Sequence, residues 1–264
     1  MGGGISQVVA ASGRRVSLHD PVPGATDRAL ETMRKSLGKL AERDRALDPE
    51  SVLARVEPVG ELVDAELMVE AVVEDAAVKK EVFRRADEAV RSDAILASNT
   101  SSIPIASLAD ATRRPDRVIG MHFFNPVPVM KLVEVVRAHA TSDDTARAVV
   151  ALARELGKTP AEANDFPGFV SNRILMPFVN EAVWALFQGV AEPEAIDTIA
   201  SLGFNHPMGP LALADLIGLD TCVSIMEVLR EGLDDPRFEP CPLLREHVAA
   251  GRLGRKSGRG FYVY

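Results

Sequence analysis

His122 and Glu134 stand twelve residues apart, with Pro126 and Pro128 between them. An imidazole is the natural general base near neutrality, because its ordinary pKa is ~6.5. A carboxylate brought back to it across a reversing turn would hold the ring in one tautomer. It would also stabilise the imidazolium formed when the ring takes a proton. Such a pair suits removal of a proton from a hydroxyl. His122 alone would read as a structural histidine; Glu134 turns the reading to chemistry. Ser101 follows a β-rich run, residues 94–98, and offers a hydroxyl to a substrate oxygen. Capping a helix near Pro104 is a second role open to it. Asn172 opens a helical stretch, and its amide would donate to an oxygen on which charge builds. A helix cap or an interdomain hydrogen bond is the other reading.

These groups need a scaffold, and the chain alternates the required elements. Residues 15–20 read as a strand. Leu30, Met33, Leu37 and Leu40 then fall at helical spacing. Residues 67–73 are nearly all apolar, as expected of a strand covered on both faces. A charged helix follows over 79–90, then a strand over 94–98. Two more strands, 118–124 and 132–136, flank the proline turn. This alternation predicts an α/β domain with a Rossmann-like, doubly wound parallel sheet and right-handed crossovers. From Gly168 onward the pattern is helical, over 169–188, 193–202 and 211–229. The expected division is an α/β domain over 1–166 and an all-α domain over 167–264. Trp184, Phe187, Phe178 and Val179 read as core or dimer interface, His206 as the holder of a proline-rich turn, and Cys222 as a small core residue.

Residues 1–13 read as a helix entered through Gly2, Gly3 and Gly4 and stopped at Gly13. The next strand ends in an acid, Asp20. Glycine turn, helix, strand and carboxylate make up the second half of a dinucleotide-binding βαβ unit. Gly2 and Gly4 would let a pyrophosphate approach the helix N-terminus, and Asp20 would accept from ribose hydroxyls. A flexible glycine tail is the alternative.

Composition excludes several classes. Of the 264 residues, 47% are hydrophobic and 26% charged, so the chain is a globule and not disordered. A net charge of −8 argues against nucleic acid or an anionic membrane as the main partner. The two cysteines, Cys222 and Cys241, form no CxxC and accompany no His pair. Neither a disulfide framework nor a metal site is expected, and a reducing, cytoplasmic location is. Apolar stretches reach only about half a dozen residues, against the ~20 of a membrane span.

Three segments carry the most specific signal: Ser98-Asn99-Thr100-Ser101-Ser102, Gly120-Met121-His122-Phe123-Phe124-Asn125-Pro126, and Pro167-Gly168-Phe169-Val170-Ser171-Asn172-Arg173. With His206-Pro207-Met208-Gly209-Pro210 and the closing run from Gly254 to Tyr262, the chain resembles the L-3-hydroxyacyl-CoA dehydrogenase family along its whole length. The resemblance implies NAD-dependent oxidation of an L-3-hydroxyacyl-CoA, with 3-hydroxybutyryl-CoA as the expected substrate and 3-hydroxyadipyl-CoA as an alternative. It implies a His122–Glu134 dyad, with Ser101 and Asn172 at the substrate. It also implies an NAD site lined by Glu74, Lys79, Asn125 and Lys256 besides Gly2, Gly4, Asp20 and Ser101, CoA contacts at Ser36 and Arg43, and a homodimer formed by the helical domain. Phe178, Trp184, Leu216 and Ile225 are its expected apolar faces. From Arg245 to Arg259, five basic residues stand against Glu246, a run that would favour phosphate-bearing ligands. Relative to the family pattern, about a dozen residues are missing before Met1, including the first strand and two glycines of G-x-G-x-x-G. Met1 is therefore expected to be an internal methionine of the glycine turn. A non-catalytic relative that kept the scaffold is the contrasting expectation.

The Asp20 reading is testable. A carboxylate at the ribose repels a 2′-phosphate, so NADPH should support turnover about tenfold or more less well than NADH. Asp20→Ser should narrow that gap in steady-state assays; equal use of both by the native chain removes Asp20 from the ribose site.

Overall fold

The structure is a computed structural model that describes residues 1–42 and 44–264. The chain divides into two compact units, Met1–Asp165 and Phe166–Tyr264.

In the first unit, α1 (Gly2–Ala11) starts at the glycines and ends before Gly13, whose φ of 92° a side chain would resist. β1 (Val16–His19) follows, then α2 (Ala25–Ala41). α2 buries Met33 and Leu37, while Leu30 and Leu40 are half-buried. α3 (Pro49–Leu53), capped by the Asp48 side chain, and β2 (Val56–Val59) close a small core with Ala10, Met33 and Leu37. Next come β3 (Leu67–Glu70), α4 (Ala76–Ala89), β4 (Ile95–Ser98) and α5 (Ile105–Ala109). β5 (Val118–Phe123), β6 (Leu132–Arg137), α6 (Asp143–Glu155) and β7 (Thr159–Asn164) complete the unit.

Among the described residues these strands form two sheets, β1–β2 and β3-β4-β5-β6-β7. The architecture is Rossmann-like, as expected, but the larger sheet is mixed. β3, β4 and β5 are parallel, whereas β5 and β6 run antiparallel. Residues 124–131 are too short a link for a crossover, so the chain reverses directly. The expected strand over 67–73 is corrected too. β3 stops at Glu70, and Val72 and Val73 are 38% and 69% exposed. β3 pairs with β4 alone among the described strands, and an edge strand is not sealed on both faces. β2 and β7 were not anticipated; Pro58 and the weakly apolar Thr-Pro-Ala-Glu-Ala-Asn run carry little strand signal.

The second unit is helical: α7 (Ser171–Phe187), α8 (Pro193–Thr198), α9 (Pro210–Ile217), α10 (Leu219–Leu233) and α11 (Pro242–Ala249). The single helix expected over 211–229 is broken by Gly218 at φ 104°. The core contains Met176, Val179, Leu211, Cys222, Met226 and Leu229. Burial pushes the Cys222 thiol up to about 12, which fits a packing role. Ile225 also belongs to this core, contrary to its expected place on an apolar surface, while Leu216 is exposed. His206 Nδ1 lies 2.6 Å from the Met208 carbonyl oxygen, closing its turn as anticipated. Within the basic run, Arg245 pairs with Glu227 and Glu239, Lys256 with Asp220, and Arg255 stacks over Tyr264. No described helix is long and apolar enough to cross a membrane, and no described His, Cys, Asp and Glu side chains group as metal ligands.

Gly120 on β5 is a sensitive packing position. A Cβ there would lie 2.7 Å from Val136 Cβ and 3.0 Å from Ile105 Cδ1. Gly120→Ala should destabilise the protein by about 1–3 kcal/mol through overpacking. Urea unfolding should show a lower midpoint with an unchanged slope.

Candidate active site

The antiparallel ladder between β5 and β6 sets His122 directly opposite Glu134. Cross-strand partners project from the same face with Cβ atoms about 5 Å apart, so the side chains must meet. His122 Nδ1 lies 3.0 Å from Glu134 Oε2. Both residues are buried, at 8% and 3% exposure, and the Phe124 ring tilts against the imidazole with centroids 4.7 Å apart. With Nδ1–H donated to the carboxylate, Nε2 is the basic nitrogen of the ring.

The carboxyl ends of β3 and β4 carry the next group. Open α/β sheets bind ligands at these strand ends. Glu74, just before α4, gathers the loop after β4. Its Oε1 accepts from the Thr100 hydroxyl (2.6 Å), the Ser101 N–H (2.9 Å), and the Ser102 N–H and hydroxyl (3.1 Å each). The Ser101 hydroxyl lies 3.3 Å from the same oxygen. Burial alone would raise the Glu74 pKa. The Thr100 hydroxyl, the Lys79 charge and the Ser101 N–H outweigh it, and the carboxyl falls below its usual range. Lys79 is not the solvated residue that a charged helix start suggests. It is 1% exposed, and its Nζ donates to Glu70 Oε1 at 2.7 Å and lies 3.2 Å from Glu74 Oε2. Ser101 is half-buried and, with Glu74 and Lys79, forms one connected cluster.

The dinucleotide features lie in the same unit. The first turn of α1 is built from Gly2, Gly3 and Gly4, and its N-cap, Met1, supplies no side-chain cap. Orphan N–H groups without nearby Cβ atoms suit a pyrophosphate. Asp20 is exposed just beyond β1, and its Oδ1 accepts from the Val22 N–H. The chain thus has donor and acceptor groups that fit NAD. Gly4 has a second use: a Cβ on it would lie 3.1 Å from Val127 Cβ, so the glycine lets the proline turn seat against α1. Asn125 is exposed at the start of that turn, and Ser36 is half-buried on α2. Arg43 lies outside the described residues.

Asn172 and Lys256 belong to the second unit. Asn172 is buried in the first turn of α7; the cap position itself is Val170, so capping is not its role. Lys256 is ion-paired to Asp220.

Sequence reasoning missed three contributors. Asn99 accepts the Phe123 N–H at 2.9 Å and so ties the end of β4 beside His122. Lys158 donates to the Val127 and Met130 carbonyls at 2.6 and 2.7 Å, clamping the proline turn. Burial pushes its ammonium pKa down. Glu70, an acid inside an apolar run, carried the one signal that was available: a charge in a strand must have a partner.

Comparison with known proteins identifies the family. Residues 1–166 match the family model described as 3-hydroxyacyl-CoA dehydrogenase, NAD binding domain, and residues 168–264 match the C-terminal domain of the same family. The chain belongs to the 3-hydroxyacyl-CoA dehydrogenase family. It is therefore an oxidoreductase that uses NAD. A probable 3-hydroxybutyryl-CoA dehydrogenase of Deinococcus radiodurans is 58% identical over 268 residues, covering 100% of this chain and 96% of the relative. The 3-hydroxybutyryl-CoA dehydrogenase of Bradyrhizobium diazoefficiens is 46% identical, covering 100% and 92%. The crystal structure of (S)-3-hydroxybutyryl-CoA dehydrogenase from Ralstonia eutropha matches with a TM-score of 0.95 and 47% identity, covering 100% of this chain and 95% of that one.

Acid should undo the Glu74 cluster. A depressed carboxylate pKa contributes stability that is complete above the unfolded value, about 4.3, and is lost as pH falls through the folded value. Glu74→Gln should cost about 1 kcal/mol at pH 7, a modest figure because the side chain is 37% exposed. In paired denaturation curves the difference from the native protein should be constant above about pH 4.3 and shrink as pH falls below it; a gap that widens on acidification contradicts the assignment.

Proposed function

We propose that the protein oxidises an L-3-hydroxyacyl-CoA to the 3-oxoacyl-CoA, with 3-hydroxybutyryl-CoA as the principal substrate. The names of its full-length relatives support the substrate, and the 3.0 Å His122–Glu134 contact supports the chemistry. When bound, NAD supplies the acceptor for the hydride leaving the carbinol carbon.

The chain's own groups do the rest. Glu134 holds Nδ1–H and so keeps Nε2 basic. Nε2 takes the hydroxyl proton, and the carboxylate stabilises the resulting imidazolium. Ser101 hydrogen-bonds the substrate oxygen, and Asn172 donates to the oxygen on which charge develops. In the reverse direction the imidazolium returns the proton. The N-terminus of α1 with Gly2 and Gly4 holds the pyrophosphate, and Asp20 holds the adenosine ribose. Glu74, Lys79, Asn125 and Lys256 complete the cofactor site, while Ser36 and Arg43 contact CoA. The α/β domain over 1–166 binds NAD; the helical domain over 167–264 binds substrate and forms a homodimer. Leu202, Phe204 and Ile199, at 83%, 68% and 56% exposure, are apolar surface that such a dimer would cover. Two buried thiols suit a reducing location, the cytoplasm.

Acetoacetyl-CoA with NADH tests the activity directly. His122→Ala should lower kcat by about two to four orders of magnitude with NADH affinity nearly unchanged, and Glu134→Gln should do the same more mildly. Near-normal turnover by His122→Ala would defeat the dyad. Elution as a monomer in gel filtration would defeat the dimer.

A further inference from the structure

A buried carboxylate that the proposed reaction does not use lies behind the Ser101 loop. Glu70 is the last residue of β3 and is 2% exposed. Its Oε1 accepts from Lys79 Nζ at 2.7 Å and from the Val72 N–H at 2.6 Å, and its Oε2 accepts from the Ser98 hydroxyl at 2.6 Å. Its backbone carbonyl accepts the Asn99 N–H at 2.8 Å. Glu70 therefore ties together the end of β3, the end of β4 and the first turn of α4. Both links lead to Ser101. Through Ser98, whose Oγ accepts the Thr100 N–H at 3.1 Å, Glu70 fixes the start of the loop. Through Lys79, it controls the carboxylate that holds the rest of the loop.

The charge balance explains the second link. Lys79 is a fully buried cation between two carboxylates, Glu70 and Glu74. A buried ammonium needs a close counter-charge. While Glu70 supplies it, Glu74 Oε1 remains available to the N–H and hydroxyl groups of residues 100–102. Without Glu70, Lys79 would draw Glu74 toward itself, and the loop would lose its acceptor.

We propose that Glu70 is a positioning residue that keeps Ser101 in its working place through Ser98 and the Lys79–Glu74 ion pair. The inference rests on the dehydrogenase role given to Ser101 above. Its own core, control of the loop by Glu70, is testable without activity.

Hydrogen exchange reads the loop directly. Glu70→Gln keeps the size of the side chain and removes its charge. It should speed exchange of the Ser101 and Ser102 amides about tenfold or more, with little change at β5 and β6. Unchanged protection overturns the proposal, whether or not the enzyme turns over. The kinetic counterpart is a double-mutant cycle with Ser101→Ala. Glu70→Gln should lower kcat about tenfold in the native background and by less than about twofold when Ser101 is already Ala. Equal losses in both backgrounds would mean a general structural role and overturn it. If Glu70→Gln does not fold, Ser98→Ala keeps the ion pair and enters the same two measurements. It should loosen the Ser101 amide and show the same non-additivity; full additivity or unchanged protection overturns the proposal. Loss of turnover by His122→Ala bears on the reaction, whereas these readouts bear on Glu70, so the two ideas fail separately.

Discussion

One strand register governs the site. The direct reversal between β5 and β6 sets His122 opposite Glu134, and sheet geometry then leaves the two side chains no choice but to meet. A slip of one residue would send one partner to the other face. The pair is thus secured by backbone hydrogen bonds on two strands, each with a neighbour on both sides. As the proposed general base, His122 would need little further ordering there.

Around that pair, several groups serve to hold position. Asn99 joins the end of β4 to β5, Lys158 clamps the proline turn, and Glu70 anchors Lys79 and Ser98. All are polar groups within or beside the sheet. Each is hydrogen-bonded, as the cost of an unpaired buried polar group requires. Together they place two loops, 99–103 and 124–131, which carry Ser101 and Asn125. Both loops lie at the carboxyl ends of the parallel strands β4 and β5, where side chains can face a ligand.

The second unit follows different physics. Its helices enclose a dense apolar core, and its polar residues chiefly close turns and tie down the C-terminal tail. Asp215 is the clearest case: it accepts from the Phe261 and Tyr262 N–H groups and from the Tyr264 hydroxyl. Lys256 and Arg245 are likewise engaged in local ion pairs.

The sequence alone determined the family, the α/β-then-α order, the glycine-led helix, and the identity of the His–Glu pair. Those features rest on local spacing: period in the helices, proline and glycine at turns, and motifs in unbroken order. Only the tertiary structure decided the mixed sheet, the end of β3 at Glu70, the break at Gly218 and the burial of Lys79. It also decided which carboxylate holds Lys79 most closely and which one gathers the Ser101 loop. Such choices depend on which groups lose water together, and a one-dimensional pattern does not record that. Glu70, Ser98, Lys79 and Glu74 span 29 positions, yet they share one buried cluster because β3 and β4 lie side by side.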